Sequence, residues 1–126
     1  MELKEVFKQI VNNAPLEIII FDKDCRIMYM NKTAQKTYSE ILGSKDCIVG
    51  HNLRSFINEE ALSKLNIVIE WFKESVDNKK MFVYHSDEEN FDTYMTVIRD
   101  NDGNFDGFYA YREHRNADKS QCFDFD

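Results

Sequence analysis

Glycine and proline are scarce, 4 and 1 in 126 residues, which excludes low-complexity linkers and predicts few long loops. Cysteine is little used: Cys25, Cys47 and Cys122 are odd in number and form no Cys-x-x-Cys pair. That pattern excludes a disulfide framework and a zinc site, and it predicts free thiols in a reducing compartment. Basic residues are outnumbered, 16 Lys+Arg against 23 Asp+Glu, for a net charge of −7. No basic stripe is present to displace counterions from a phosphate backbone, so direct nucleic-acid binding is excluded. Long apolar runs are also missing. Leu16 to Phe21 is strand-sized and broken by Glu17, against the ~20 residues of a membrane span. Met1 to Glu5 lacks the basic and apolar regions of a secretory signal; the expectation is a cytoplasmic protein with no membrane contact.

What is present is a hydrophobic fraction of 43% with 13% aromatic residues, enough for one globular domain burying roughly 65% of its unfolded surface. Leu3, Val6, Phe7, Ile10 and Val11 recur at helical spacing, ended by Asn12-Asn13-Ala14-Pro15. Leu16 to Phe21 and Arg26 to Met30 are β-rich runs around the turn Asp22-Lys23-Asp24-Cys25. Asn31 is placed to cap a helix over Lys32 to Leu42, stopped by Gly43. Glu59 to Lys79 carries the longest apolar stripe, Leu62, Leu65, Val68, Ile69, Phe72 and Val76, widened by Trp71. Met81 to Ser86, Phe91 to Arg99 and Phe105 to Arg112 alternate as three strands joined by polar turns. The division is a flanking helix over 1–12, a domain over 13–114 and a polar tail over 115–126.

Two strands, then helices, then three strands describe an α+β domain with helices on one face of an antiparallel sheet. That order, with Ile20-Phe21-Asp22-Lys23-Asp24-Cys25-Arg26-Ile27-Met28-Tyr29-Met30-Asn31 and Ile98-Arg99-Asp100-Asn101-Asp102-Gly103-Asn104-Phe105-Asp106-Gly107, resembles the PAS sensor-domain family. The resemblance implies a five-stranded sheet of order 2-1-5-4-3, a pocket between sheet and helices, and a role in sensing, dimerisation or both. Gly50, Asn52 and Arg54 match the flavin motif of the family's LOV branch. Leu53 stands at the photoreactive cysteine, which excludes cysteinyl-flavin photochemistry, and Phe91 and Thr93 replace the expected amides. Haem-binding members offer a histidine from the long helix, and 59–79 contains none. Flavin and haem are both disfavoured; a small organic or carboxylate ligand is the open alternative.

Centring the turn between the third and fourth strands on Glu88 sets His85 opposite Phe91 and Val83 opposite Thr93. One face then holds Met81, Val83, His85, Phe91, Thr93, Met95 and Val97. The resemblance turns this face toward the pocket, with Ile19, Phe21, Phe108, Ala110 and Arg112 from other strands and Leu65, Ile69 and Phe72 from the long helix. Asn52, Leu53, Arg54 and Phe56 are expected at its entrance. Arg112 offers a bidentate fork for a carboxylate and His85 a second donor; alternatively Arg112 pairs with a surface acid and His85 is structural. The opposite face gathers Phe82, Tyr84, Tyr94, Tyr109 and Tyr111, a patch that monomers rarely leave uncovered. Leu3, Val6, Phe7 and Ile10 of the first helix match it, which predicts a homodimer, the alternative being a helix folded back on its own sheet.

Other chemistry is not supported. Asp100-x-Asp102-x-Asn104 opens like a calcium loop, yet Phe105 stands at the required glycine and Tyr111 at the bidentate glutamate. No phosphate-cradling loop, nucleophile elbow or His-Glu-x-x-His occurs. The sequence therefore predicts a non-enzymatic sensing module that homodimerises, binds a small organic ligand and relays to an attached or associated regulator, a kinase or a transcription factor. The alternative is a ligand-free interaction module whose pocket is filled by its own side chains.

Overall fold

The computed structural model describes residues 2–42 and 48–115. The order is helix α1 (Leu3–Asn13), strands β1 (Ile18–Asp22) and β2 (Ile27–Met30), helix α2 (Lys32–Leu42), a 3-10 turn (Leu53–Ser55), helix α3 (Glu59–Glu74), then strands β3 (Lys80–Ser86), β4 (Phe91–Arg99) and β5 (Phe105–His114). The strands form one sheet in the order β2-β1-β5-β4-β3, every neighbouring pair antiparallel. This is the architecture expected from the sequence. The predicted Gly43 stop, Cys47, Cys122 and the tail from residue 116 lie outside the described residues; Cys25 is free and buried.

Local chemistry explains the elements. Asn58 caps α3, its Oδ1 accepting from Ala61 N at 2.8 Å, and Glu59 and Glu60 place negative charge at the positive end of the helix dipole. In the β1–β2 turn, Asp22 Oδ1 accepts from the backbone N–H groups of Asp24 and Arg26 at 2.9 Å each. Cys25 takes a left-handed φ of 66° there. Gly107 of β5 has φ 155°, and a Cβ at that position would collide with the carbonyl oxygen of Phe21 on β1; only glycine allows these two neighbouring strands this approach. Beneath the sheet, Phe21 and Phe108 stack at 4.6 Å and pack in one core with Ile19, Leu65, Ile69, Phe72 and Met95.

Two expectations are corrected. α3 stops at Glu74 instead of running to Lys79: Ser75 is extended, and Val76, the last residue of the predicted stripe, is 59% exposed. The cause is Arg99 at the end of β4, whose Nη2 donates to the carbonyls of Phe72, Ser75 and Asn78 at 2.7, 2.9 and 3.0 Å. Phe72 O, one of the helix's orphan C-terminal carbonyls, is thus satisfied by a side chain from another element, and Trp71 O accepts from Asn78 Nδ2 at 2.7 Å. The second correction concerns register. A β-bulge at Val83 interrupts the β3–β4 ladder, so Phe82 pairs with Tyr94 but Tyr84 pairs with Thr93, His85 with Asp92 and Ser86 with Phe91. The inserted residue exchanges the faces of everything beyond it on β3.

Candidate functional site

Between the first half of α3 and strands β3 and β4 lies a cleft of about 390 Å³. Leu53, Ile57, Ala61, Leu65, Val68, Val83 and Met95 supply its apolar lining, and Asn58, Glu60, Lys64 and Tyr84 its polar groups. Four of the predicted pocket residues, Leu53, Leu65, Val83 and Met95, therefore line it. Ile19, Phe21, Ile69, Phe72 and Phe108 are instead buried in the closed core, with Ala110 packed against it. Phe56 is exposed, its ring edge-on to His51 at 6.0 Å.

The motif Gly50-x-Asn52-x-Arg54 serves local architecture. Asn52 Oδ1 accepts from Arg54 N at 3.0 Å, capping the 3-10 turn, while Asn52 Nδ2 donates to Asp24 O at 2.9 Å. Arg54 donates to Asn66 Oδ1 at 3.3 Å and to Cys25 Sγ at 3.6 Å. Burial pushes the Cys25 thiol up, with the Arg54 contact opposing it. These bonds join the β1–β2 turn to the segment leading into α3.

Beside the cleft the inner face of the sheet becomes polar. Tyr84 pairs with Thr93, and Thr93 with Arg112, whose N–H donates to Glu17 O at 3.2 Å. The Arg112 guanidinium sits over the Phe91 ring at 4.2 Å and the Tyr38 ring of α2 at 5.2 Å. Its Nε is buried without a hydrogen-bond partner. Burial pushes the Tyr38 hydroxyl up, with Arg112 pulling the other way. Glu17, buried just before β1, turns elsewhere: Oε1 accepts from Thr37 Oγ1 at 3.0 Å and Oε2 meets His114 Nε2 at 3.1 Å. Burial alone would raise the Glu17 carboxyl, but the hydrogen bonds of His114, the backbone and Thr37 outweigh it and hold the group below its ordinary value.

The bulge moves two predicted residues. His85 does not face the pocket; it shares the outer face with Asp92, Nδ1 to Oδ1 at 2.7 Å, with Asp87 3.0 Å from Nε2. Asp92 also accepts from Arg115 Nε and Nη2 at 2.8 and 3.0 Å, which holds its carboxyl below the ordinary range, with His85 contributing. Tyr84 is removed from the outer patch and joins the cleft. The rest of that patch is as expected: Phe82, Tyr94, Tyr111 and Tyr109 form a chain of rings with centroids 5.5, 5.5 and 5.9 Å apart, and Lys80 Nζ lies 4.2 Å above Tyr94. The helix α1 does not cover it. Leu3, Phe7 and Ile10 are 66%, 57% and 61% exposed, and no α1 residue is fully buried.

A family model described as "PAS domain" matches residues 7–112. The chain belongs to the PAS domain family. Solved structures share the fold at low identity. A C-terminal domain from Streptococcus mutans is 23% identical with a TM-score of 0.70, covering 88% of this chain and 84% of that one. The PAS domain of BvgS from Bordetella pertussis is 14% identical with a TM-score of 0.59, covering 90% and 87%. A sensory box sensor histidine kinase from Vibrio cholerae is 14% identical with a TM-score of 0.55, covering 86% and 88%. No curated protein matches the chain. Among the described residues no helix is long and apolar enough to cross a membrane, and no group of metal-ligating side chains is assembled.

In this PAS domain the residues that sequence reasoning missed are Glu17, Tyr38, Asp92, His114 and Arg115. Glu17 and Asp92 were hidden because an acid inside an apolar or alternating run reads as an interruption, and their partners lie many residues away. Glu17 also sets a pH dependence. Its folded carboxyl titrates below its ordinary value of 4.5, so the stabilisation it provides is complete above that value and is lost as pH falls through the folded value. Thermal denaturation between pH 7 and 3 is expected to show a shallower acid-side loss for Glu17→Gln than for the unaltered protein. Parallel curves for the two would show that the His114 pairing contributes nothing.

Proposed function

We propose that this PAS domain is a cytoplasmic, non-catalytic sensing module. It pairs with a second copy through α1 and the outer face of its sheet, holds a small organic ligand on the inner face, and passes the resulting change of dimer geometry to a kinase or transcription regulator. The observation that carries the reading is that one chain leaves two apolar surfaces open, the α1 stripe and the chain of outer-face rings. Either alone is a liability in water; together they are complementary, and pairing two copies would bury both. Similarity to a domain of a sensor histidine kinase supports an effector of that kind. The closed half of the core, with Phe21, Phe72 and Phe108 filling the space under β1 and β5, favours a second reading in which the module relays dimer geometry without a ligand.

Light scattering coupled to size exclusion tests the pairing. The unaltered protein is expected to run as a dimer, and Phe7→Asp as a monomer with unchanged far-UV circular dichroism, since Phe7 is already exposed within one chain. A dimer that persists in Phe7→Asp removes α1 from the interface.

A further inference from the structure

Strand β3 ends the sheet, and among the described residues it pairs with β4 alone. A free edge of this kind is a template for another strand unless something covers it. Its two sides differ. On the inner side Val83 and Tyr84 border the open cleft beside α3, and Tyr84 is 58% exposed. On the outer side Lys80 lies over the rings of Tyr94 and Tyr111 at 4.2 and 5.5 Å. Lys80 is exposed and forms no ion pair among the described residues. A strand that fits beside β3 is therefore apolar on one face and acidic on the other.

The chain carries such a segment. Residues 121–126 read Gln-Cys-Phe-Asp-Phe-Asp, an alternation that in an extended chain sets Phe123 and Phe125 on one side and Asp124 and Asp126 on the other. No glycine or proline interrupts it. Arg115 sets the direction of approach: its N–H donates to Asn90 O at 3.0 Å and its guanidinium holds Asp92. Both contacts draw the chain leaving β5 toward the β3–β4 turn, where Ser86, Phe91 and His114 form one row across β3, β4 and β5. A strand outside β3 would lie three strand spacings from β5, about 14 Å, and the extended segment 116–120 reaches about 17 Å. Because β3 and β5 run the same way, each antiparallel to β4, a chain that turns back beside β3 runs antiparallel to it, from Ser86 toward Lys80.

We propose that residues 121–126 add to the free edge of β3 as a sixth, antiparallel strand of the same chain, with Phe123 and Phe125 closing the mouth of the cleft and Asp124 and Asp126 on the side of Lys80. Main-chain bonds to the edge hold the segment, and the alternate side chains set its register. A ligand entering the cleft has to displace this strand, which ties the cleft to the segment leading out of the domain. The inference goes beyond the pairing reading and does not depend on it, since α1 takes no part.

The test is amide hydrogen exchange over residues 80–86 of the full chain, read by mass spectrometry at two protein concentrations. The double variant Phe123→Ser/Phe125→Ser is expected to exchange there at least about fivefold faster than the unaltered protein, with unchanged far-UV circular dichroism. Lys80→Glu is expected to speed exchange as well, and Lys80→Glu combined with Asp124→Lys to restore it. Equal exchange in the unaltered protein and the double phenylalanine variant, no restoration by the charge exchange, or protection that is lost on dilution overturns the proposal, the last by assigning the edge to a second copy. Light scattering keeps the two readings apart: the double variant is expected to lose edge protection while its oligomeric state stays that of the unaltered protein.

Discussion

Asn31→Ala is expected to destabilise the domain by about 4 kcal/mol, or roughly 15 °C in Tm. Asn31 is wholly buried and uses its complete amide capacity. Oδ1 accepts from Ile18 N at 3.0 Å and from Ala34 N at 2.9 Å. Nδ2 donates to Leu16 O at 2.7 Å and Val11 O at 3.0 Å. One side chain thereby joins the end of α1, the start of β1 and the cap of α2. Alanine removes four bonds and strands two donors and two acceptors, each a penalty of ~1–3 kcal/mol where water cannot reach and less where it can. Asn31→Asp keeps both acceptor functions but turns a carboxylate toward two carbonyl oxygens, and a loss of similar size is expected. Urea denaturation measures both. A loss under about 1 kcal/mol in either variant would mean that solvent or relaxation replaces these bonds. Hydrogen exchange at the end of α1 should rise with Asn31→Ala, because Val11 O loses its tie to the cap of α2 and keeps only the bond from Ala14 N at 3.4 Å.

Arg99→Met is the second large effect, expected near 3 kcal/mol. The Arg99 guanidinium holds the carbonyls of Phe72, Ser75 and Asn78, and through Nη1 that of Gly103 at 3.3 Å. It joins the end of α3 to the β4–β5 turn and adds positive charge at the negative end of the helix dipole. Methionine preserves the stem's packing and removes every donor. Lysine, with three donors on a point charge, should recover part of the loss. The local readout is amide exchange in the last turn of α3. Unchanged protection there, with stability intact, would show that the helix ends for other reasons.

Arg99 also shows why part of the molecule was not legible in the sequence. The α3 stripe could be counted to Val76 because helical spacing is local; the residue that ends the helix comes from a strand more than twenty positions downstream. Asn31 was legible as a cap, since capping is a three-residue relation, while its bonds to Val11, Leu16 and Ile18 required the tertiary fold. Strand order followed from element order and family resemblance together. Face assignment failed beyond Phe82, because alternation counted back from the Glu88 turn assumes an unbroken ladder, and Val83 breaks it. That one residue exchanged Tyr84 and His85 between the cleft and the outer face. Arg112 was legible as an inward arginine because no bulge separates it from Phe108. The Tyr38 and Phe91 rings enclosing it could not be read, since Tyr38 reaches it from a different layer.

The neighbouring inner strands β1 and β5 run antiparallel with Ile18 opposite Tyr111. The segment entering β1 and the segment leaving β5 therefore depart from the same end of the sheet. A mechanical load applied between those segments would act across the ladder rather than along it, opening β1 from β5 one pair at a time, beginning beside the Glu17–His114 contact. Strands loaded in this way unzip at lower force than strands pulled in shear. The domain is built to resist heat through buried bonds such as those of Asn31, yet to yield readily to tension on its two connections.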